Sequence, residues 1–332
     1  MAHFVENMAY VGKVPWHGLG NQLSENQPIE IWRKQAGLDW AIKESPVRYI
    51  NEGCDRIGEL LSFDKHKVLY RSDNLAPLSV VSDRYNVVQP EQILEFYRDL
   101  TEISGFQLET AGVLKGGRKI WALARTGQHG VIAGNDRTNA YVLLATACDG
   151  TLATTAQFTA VRVVCNNTLA VALDGRSEAI KVSHRSVFDS DAIKKRLGIN
   201  ISAWDDFMYR LKALSARRVN TSEAEQFVKN LFAPDTHVST RESSRTSPGP
   251  TSSREPNARA IKRVLSLFEG KGRGSTLSSS QNTAYGLINA VTEFVDHEKR
   301  ARSTDNRLDS AWFGLGADLK DKALDHAVKL IA

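Results

Sequence analysis

The chain has 332 residues, of which 42% are hydrophobic and 24% charged. That length suits roughly two domains of about 100–200 residues each, and no apolar run approaches the roughly 18 residues of a membrane-spanning helix. The start, MAHFVENMAYVGKVPW, has neither a basic nor an apolar leader region, which argues against secretion. Three scattered cysteines (Cys54, Cys148, Cys165) without a CxxC pair argue against a disulfide framework or structural zinc, and fit a reducing cytoplasm. No metal or cofactor is expected.

The charge is unevenly distributed. Residues 1–110 hold 11 Lys and Arg against 16 Asp and Glu; residues 111–218 hold 16 against 8; residues 219–332 hold 16 against 14. The middle third is therefore +8 beside an N-terminal third of −5, a distribution that favours a polyanionic partner for the middle of the chain.

In chain order, the first conspicuous string is Pro15-Trp16-His17-Gly18-Leu19-Gly20, a Gly-x-Gly loop beside an aromatic ring. It lacks the spacing of a nucleotide-binding fingerprint, and its simpler reading is a Trp-anchored loop. PLSVVSDRYNVV (77–88) is rich in β-branched and aromatic residues and predicts a strand. Pro90 then opens a helix whose apolar stripe is Ile93, Leu94, Phe96, Tyr97, Leu100 and Ile103, ended by Gly105. Two hairpins follow. FQLETAGVL and RKIWALART flank Lys115-Gly116-Gly117; NAYVLLATAC and TLATTAQF flank Asp149-Gly150. Val161, Val164, Cys165, Thr168, Leu169 and Ala172 then fall at helical spacing. EAIKVSHRSVF predicts a short strand and turn, and long helices should run from about Asp189 to Leu231.

Residues 233–256 contain 15 Ser, Thr, Pro or Gly in 24 positions and predict a flexible linker. GKGRGSTLSSS (270–280) is a second low-complexity patch, and helical stripes resume at Leu287–Val295 and Leu319–Leu330. The expected fold is α+β. Antiparallel β-hairpins pack on helices in a core of residues 1–232, joined by the linker to a small helical module at 257–332 that the core does not need.

Among reactive groups, Cys165 could act as a nucleophile with His184 or His17 as base and Asp149 as orienter. On the predicted helix it shares a stripe with aliphatic side chains, where a thiol behaves as a small hydrophobe. The cations are more suggestive. Lys115, Arg118 and Lys119 cluster at the first hairpin tip, Arg125 and Arg137 lie between the hairpins, and Arg162 begins the predicted helix. Lys181, Arg185, Lys194, Lys195 and Arg196 follow. Tyr85, Trp121, Tyr141 and Phe158 are interleaved with them. Cations along phosphates with rings for base stacking are what single-stranded nucleic acid requires, at ~1–3 kcal/mol per stacked base.

PWHGLG, APLSVVSDRYNVVQPEQILEF, KGGRKIWALART, YVLLATACDGTLATTAQFTAVRVVCNNTLAVAL and IKVSHRSVF together resemble the phage/plasmid-like protein family, a domain of unknown function (DUF932). The resemblance spans roughly residues 10–230 and leaves the linker and tail outside. Its motif positions include Trp16, His17, Gly18, Gly20, Asp149, Gly150, Arg162, Cys165 and Asn167. Ala160 departs from the pattern, standing where the family usually has proline. The resemblance implies a protein of bacterial mobile elements, acting in the host cytoplasm. Its hairpin–hairpin–helix core is in turn similar to single-strand annealing proteins of the Redβ, RecT and Rad-fifty-two kind. That likeness implies a non-enzymatic protein that binds and anneals single-stranded DNA in recombination or replication. It would assemble into a ring or filament, with a tail able to recruit a host single-strand DNA-binding protein. Two alternatives stand: an enzyme centred on Cys165 or His17, and an interaction protein that modulates host defence or replication.

Overall fold

The computed structural model describes residues 7–12, 20–51, 58–164, 167–170, 172–173, 176–177, 179–201, 203–233 and 258–331. The N-terminal part runs β1 (Asn7–Val11), β2 (Asn21–Leu23), α1 (Ile29–Gln35), β3 (Ile42–Asn51), β4 (Glu59–Arg71), β5 (Pro77–Ser82) and α2 (Pro90–Ser104). A meander follows: β6 (Gln107–Leu114), β7 (Lys119–Val131), β8 (Arg137–Ala147), β9 (Thr154–Arg162) and β10 (Asn167–Ala170). After it come the short strands β11 (Ala172–Leu173), β12 (Arg176–Ser177) and β13 (Ile180–Val182), then α3 (Ser190–Ile201), α4 (Ala203–Ala216) and α5 (Thr221–Phe232). The last part holds α6 (Ala258–Ser266), α7 (Ala284–Glu293), α8 (Thr304–Phe313) and α9 (Leu315–Val328). This is an α+β fold. Among the described residues no helix is long and apolar enough to cross a membrane.

The main sheet has the strand order β10-β9-β8-β7-β6-β1-β2, with β13 also on the β9 edge; a smaller sheet is β3-β4-β5. Both predicted hairpins form. The tip between β6 and β7 places Lys115, Gly116 and Gly117 at φ of 54°, 70° and 102°. That left-handed run explains the paired glycines. A Cβ on Gly117 would also sit 3.1 Å from Trp40 and Leu78. The loop between β8 and β9 turns at Gly150, φ 75°, where Asp149 Oδ1 accepts from the Thr151 amide.

Helix α2 starts as its sequence requires. Pro90 occupies the first turn, Gln89 and Gln92 form a reciprocal capping box, and Gly105 ends the helix at φ 69°. Its stripe of Ile93, Leu94, Phe96 and Tyr97 is buried on one sheet face beside Ala122, Val142, Leu144 and Phe158. The Tyr97 hydroxyl donates to Ala122 O at 2.7 Å and to Val142 O at 3.1 Å, so a polar atom in the core is satisfied. The other face carries Trp121, Leu123, Tyr141 and Leu143, packed with Leu308, Trp312 and Phe313 of α8. This second cover is why β8 reads as apolar on both sides.

Two expectations change. The predicted helix over 161–172 is instead the end of β9 turning into β10, with Arg162 opposite Asn167 and Thr168 opposite Val161. The β-branched Val161, Val163, Val164 and Thr168 favour extended backbone, and the helical spacing of the apolar residues was coincidental. Cys165 itself lies outside the described residues, as do Trp16, His17, Gly18 and the predicted linker from 234 onward. The second change concerns the tail. Val264, Leu267, Leu287, Ile288, Val291 and Leu324 belong to the same continuous hydrophobic cluster as the main sheet. The stripes read as a self-sufficient module face the core.

Candidate nucleic-acid interface

The cations of the middle third divide into those used inside the fold and those left at the surface. Arg162, expected on phosphate, is 3% exposed and faces Asp136, 0% exposed. Its Nε donates to Asp136 Oδ1 at 2.8 Å and its Nη2 to Oδ2 at 2.6 Å. Nη2 also reaches Ser280 Oγ at 2.8 Å, and Ser279 Oγ donates to Asp136. The guanidinium lies 5.3 Å from the Tyr285 ring centre. The serine-rich patch at 270–280 is therefore a polar clamp on the end of β9. Burial of this pair removes Arg162 from any phosphate site.

The first hairpin tip is corrected in the same way. Lys115 and Lys119 both pair with Asp309 of α8, and Lys119 is buried. Lys119 Nζ also lies 5.7 Å from the Phe313 ring centre. Arg125 pairs with Glu109 at 2.5 Å, and the same carboxylate accepts from the Tyr141 hydroxyl at 2.9 Å. Lys194 sits 5.6 Å from the Phe96 ring centre and 3.7 Å from Asp191. The Asp309 pairs join the sheet to α8, the Arg125 cluster spans neighbouring strands, and Lys194 joins α3 to α2.

The stacking candidates are corrected too. Trp121 is 1% and Tyr141 2% exposed, and Trp121 packs edge-on to Trp312 with centroids 4.8 Å apart. Tyr85 stacks on His184 at 4.4 Å and donates its hydroxyl to Ala147 O at 2.6 Å. None of these rings presents an open face of the kind that base stacking needs. Sequence alone could not separate these cases, because an aromatic on a strand buried on both faces has the same local pattern as one on an open platform.

Arg118, Arg137, Lys181, Arg185, Lys195 and Arg196 remain at the surface. Arg137 Nε donates to Asn139 at 3.1 Å. Lys181 faces Asp321; Arg118, Arg185, Lys195 and Arg196 have no carboxylate partner among the described residues. Lys181 is on β13 and Arg185 in the turn after it, while Lys195 and Arg196 lie on the exposed side of α3, whose Ile193 and Leu197 are buried.

Several roles carried no sequence signal. Asp136 and Asp309 are the carboxylates that engage three expected phosphate contacts, Arg162, Lys115 and Lys119. Asn167 donates to Asn289 O at 3.2 Å and meets His297 at 3.2 Å. Nearby, Lys320 Nζ bridges Asp296 and Thr168 at 2.9 Å. These bonds fasten β10 to α7 and α9. Gly20 is required because a Cβ there would lie 2.6 Å from Met8 Cγ. Cys148, beside Asp149-Gly150, is buried, and burial pushes its thiol up to about 12. It is a protonated packing group at neutral pH, far from the thiolate that nucleophilic chemistry needs. Among the described residues no group of three or more His, Cys, Asp or Glu is placed to hold a metal ion.

A cleft of about 130 Å³ opens between β9, β13 and α9, with Lys181 on one wall and Asp318 and Asp321 on the other. Desolvation is the main cause that raises the Asp321 carboxyl to about 6, and the neighbouring Asp318 adds to it.

No curated protein and no solved structure matches the chain. The family described as a domain of unknown function, DUF932, matches residues 77–312. That span starts later than the sequence motifs suggested, leaving PWHGLG outside. It also runs through the predicted linker to Trp312, the α8 residue that covers Trp121. The matched span thus includes α6, α7 and nearly all of α8 but not α9, and the chain is a member of the DUF932 family.

Proposed function

We propose that the protein binds single-stranded DNA without sequence preference and promotes annealing of complementary strands for a mobile element. The observation that supports this most is the cation run from the turn after β13 into α3. Arg185, Lys195 and Arg196 reach solvent within 12 residues, with no carboxylate partner among the described residues. Such groups can meet phosphates without first breaking an ion pair. The hairpin–hairpin–helix order behind the likeness to annealing proteins loses its helix, since 161–170 is β9 turning into β10, so the proposal rests on the site itself. With Trp121 and Tyr141 inside the fold, binding on this surface would rest on phosphate contacts and counterion release.

The test is fluorescence anisotropy of a labelled single-stranded oligonucleotide across a salt series. Each phosphate contact contributes about −0.7 to the slope of log K against log salt. Arg185→Glu/Lys195→Glu/Arg196→Glu should flatten that slope by about 2. It should change stability little, since exposed substitutions usually shift it within about 0.5 kcal/mol. Binding that ignores salt, or a triple variant that binds as the parent does, would overturn the reading.

A further inference from the structure

A cavity of about 330 Å³ lies where the β2–α1 turn meets the end of α2 and the start of β6. Its apolar lining comes from Ile29, Trp32, Phe106 and Leu108. Size and lining are those of a small-molecule site, mostly apolar with a few polar groups. The charges around it are unbalanced. Both lining guanidinium groups are already engaged: Arg98 by Glu95 at 2.6 and 2.8 Å and by Glu30 at 2.7 Å, and Arg125 by Glu109 at 2.5 Å. Glu25 and Glu102 also line the cavity and have no partner among the described residues. Two guanidinium groups against five carboxylates leave a local charge of −3, and among the described residues no lysine or histidine lines the cavity.

Glu102 belongs to the last turn of α2, and that turn contains no basic residue. The C-terminal end of a helix carries partial negative charge and is normally complemented by cations. An unpaired carboxylate there works against the helix dipole. The compensating charge is missing from the fold itself, as at sites that receive it from a ligand. We propose that the cavity binds a small organic cation, a primary amine carried on a short aryl or alkyl body. Its ammonium group would meet Glu25 and Glu102 at the end of α2. Its body would cover Trp32 and Phe106, whose rings also favour a cation beside them. An anion would meet the surplus of carboxylates, and a neutral ligand would leave Glu25 and Glu102 unanswered. The site is separate from the cations of α3 and does not depend on what they bind.

The experiment uses the full chain without DNA, so its outcome is independent of the nucleic-acid reading. Calorimetric titrations compare phenethylamine with phenethyl alcohol and hydrocinnamate, which keep the ring and change the head from cation to neutral to anion. The amine should bind about tenfold more tightly than the alcohol, and the carboxylate should not bind measurably. Added salt should narrow the gap between amine and alcohol, since charges at the rim are screened. Glu25→Gln/Glu102→Gln should lose the preference for the amine while binding the alcohol as the parent does, which shows the cavity intact. As a readout needing no variant, amides of 25–32 and 101–109 in the parent should gain hydrogen-exchange protection with the amine; this map decides if the double variant loses the alcohol too. An amine that does not bind, or binds no better than the alcohol or the carboxylate, overturns the inference. So does a preference for the amine that survives both glutamines, or protection that leaves those amides unchanged.

Discussion

Replacing Arg162 with Met tests whether this residue is a strut or a DNA contact. The substitution removes the guanidinium's bonds to Asp136 at 2.8 and 2.6 Å and its bond to Ser280. It leaves a fully buried carboxylate whose remaining hydroxyl donor is Ser279. Breaking a buried pair by removing one partner costs about 3–5 kcal/mol, because the surviving charge stays desolvated. With an unfolding entropy of roughly 2.1 cal/mol/K per residue, the 332-residue chain should lose ~4–7 °C in Tm. Arg162→Met/Asp136→Asn carries no unpaired charge and should recover most of that loss. The assay is thermal melting by circular dichroism of the parent, both single variants and the double variant. DNA anisotropy is measured in parallel well below every Tm. If Arg162→Met melts within about a degree of the parent yet loses DNA affinity, the side chain is a phosphate contact and the buried clamp is wrong.

The tail should stay bound when the covalent link is cut. A protease site engineered between Ser247 and Pro248 should yield two fragments that co-elute in size exclusion, because α6, α7 and α9 share one hydrophobic cluster with the sheet and α8 shares a second; separation into a folded N-terminal fragment and a free tail would show them to be independent. Asp309→Asn leaves the buried Lys119 ammonium unpaired and should destabilise by about 3 kcal/mol, read as a lower urea midpoint; for the same reason charge reversal at Lys115 and Lys119 should cost stability. Asp321 should give a pH-dependent signature. Its folded value of about 6 lies above the unfolded carboxylate value near 3.9, so the folded state holds the extra proton and this group's stabilisation is lost as pH rises from about 4 through 6. Asp321→Asn should therefore match the parent near pH 4 and exceed it by about 1–3 kcal/mol at pH 8. A difference that is constant with pH would count against the raised carboxyl.

What the sequence by itself determined is the local structure that local physics controls. Pro90 and Gly105 bounded α2, the glycines after Lys115 and the Asp149-Gly150 pair placed two hairpins, and the family resemblance needed only the strings around them. The stretch 161–170 misled because its apolar residues satisfy helical spacing, while pairing with β9 and β-branched side chains chose a strand. Charge was legible as a total, +8 for the middle third, but not as a surface. Whether Arg162 or Lys119 faces DNA or a carboxylate depends on Asp136 and Asp309, and Asp309 stands 190 residues from Lys119 along the chain. The same holds for Trp121 and Tyr141, whose second cover comes from α8. Tertiary structure alone decided which cations are paired, which rings are covered and which carboxylates are left without a partner, because each outcome is set by contacts between segments that carry no local record of one another.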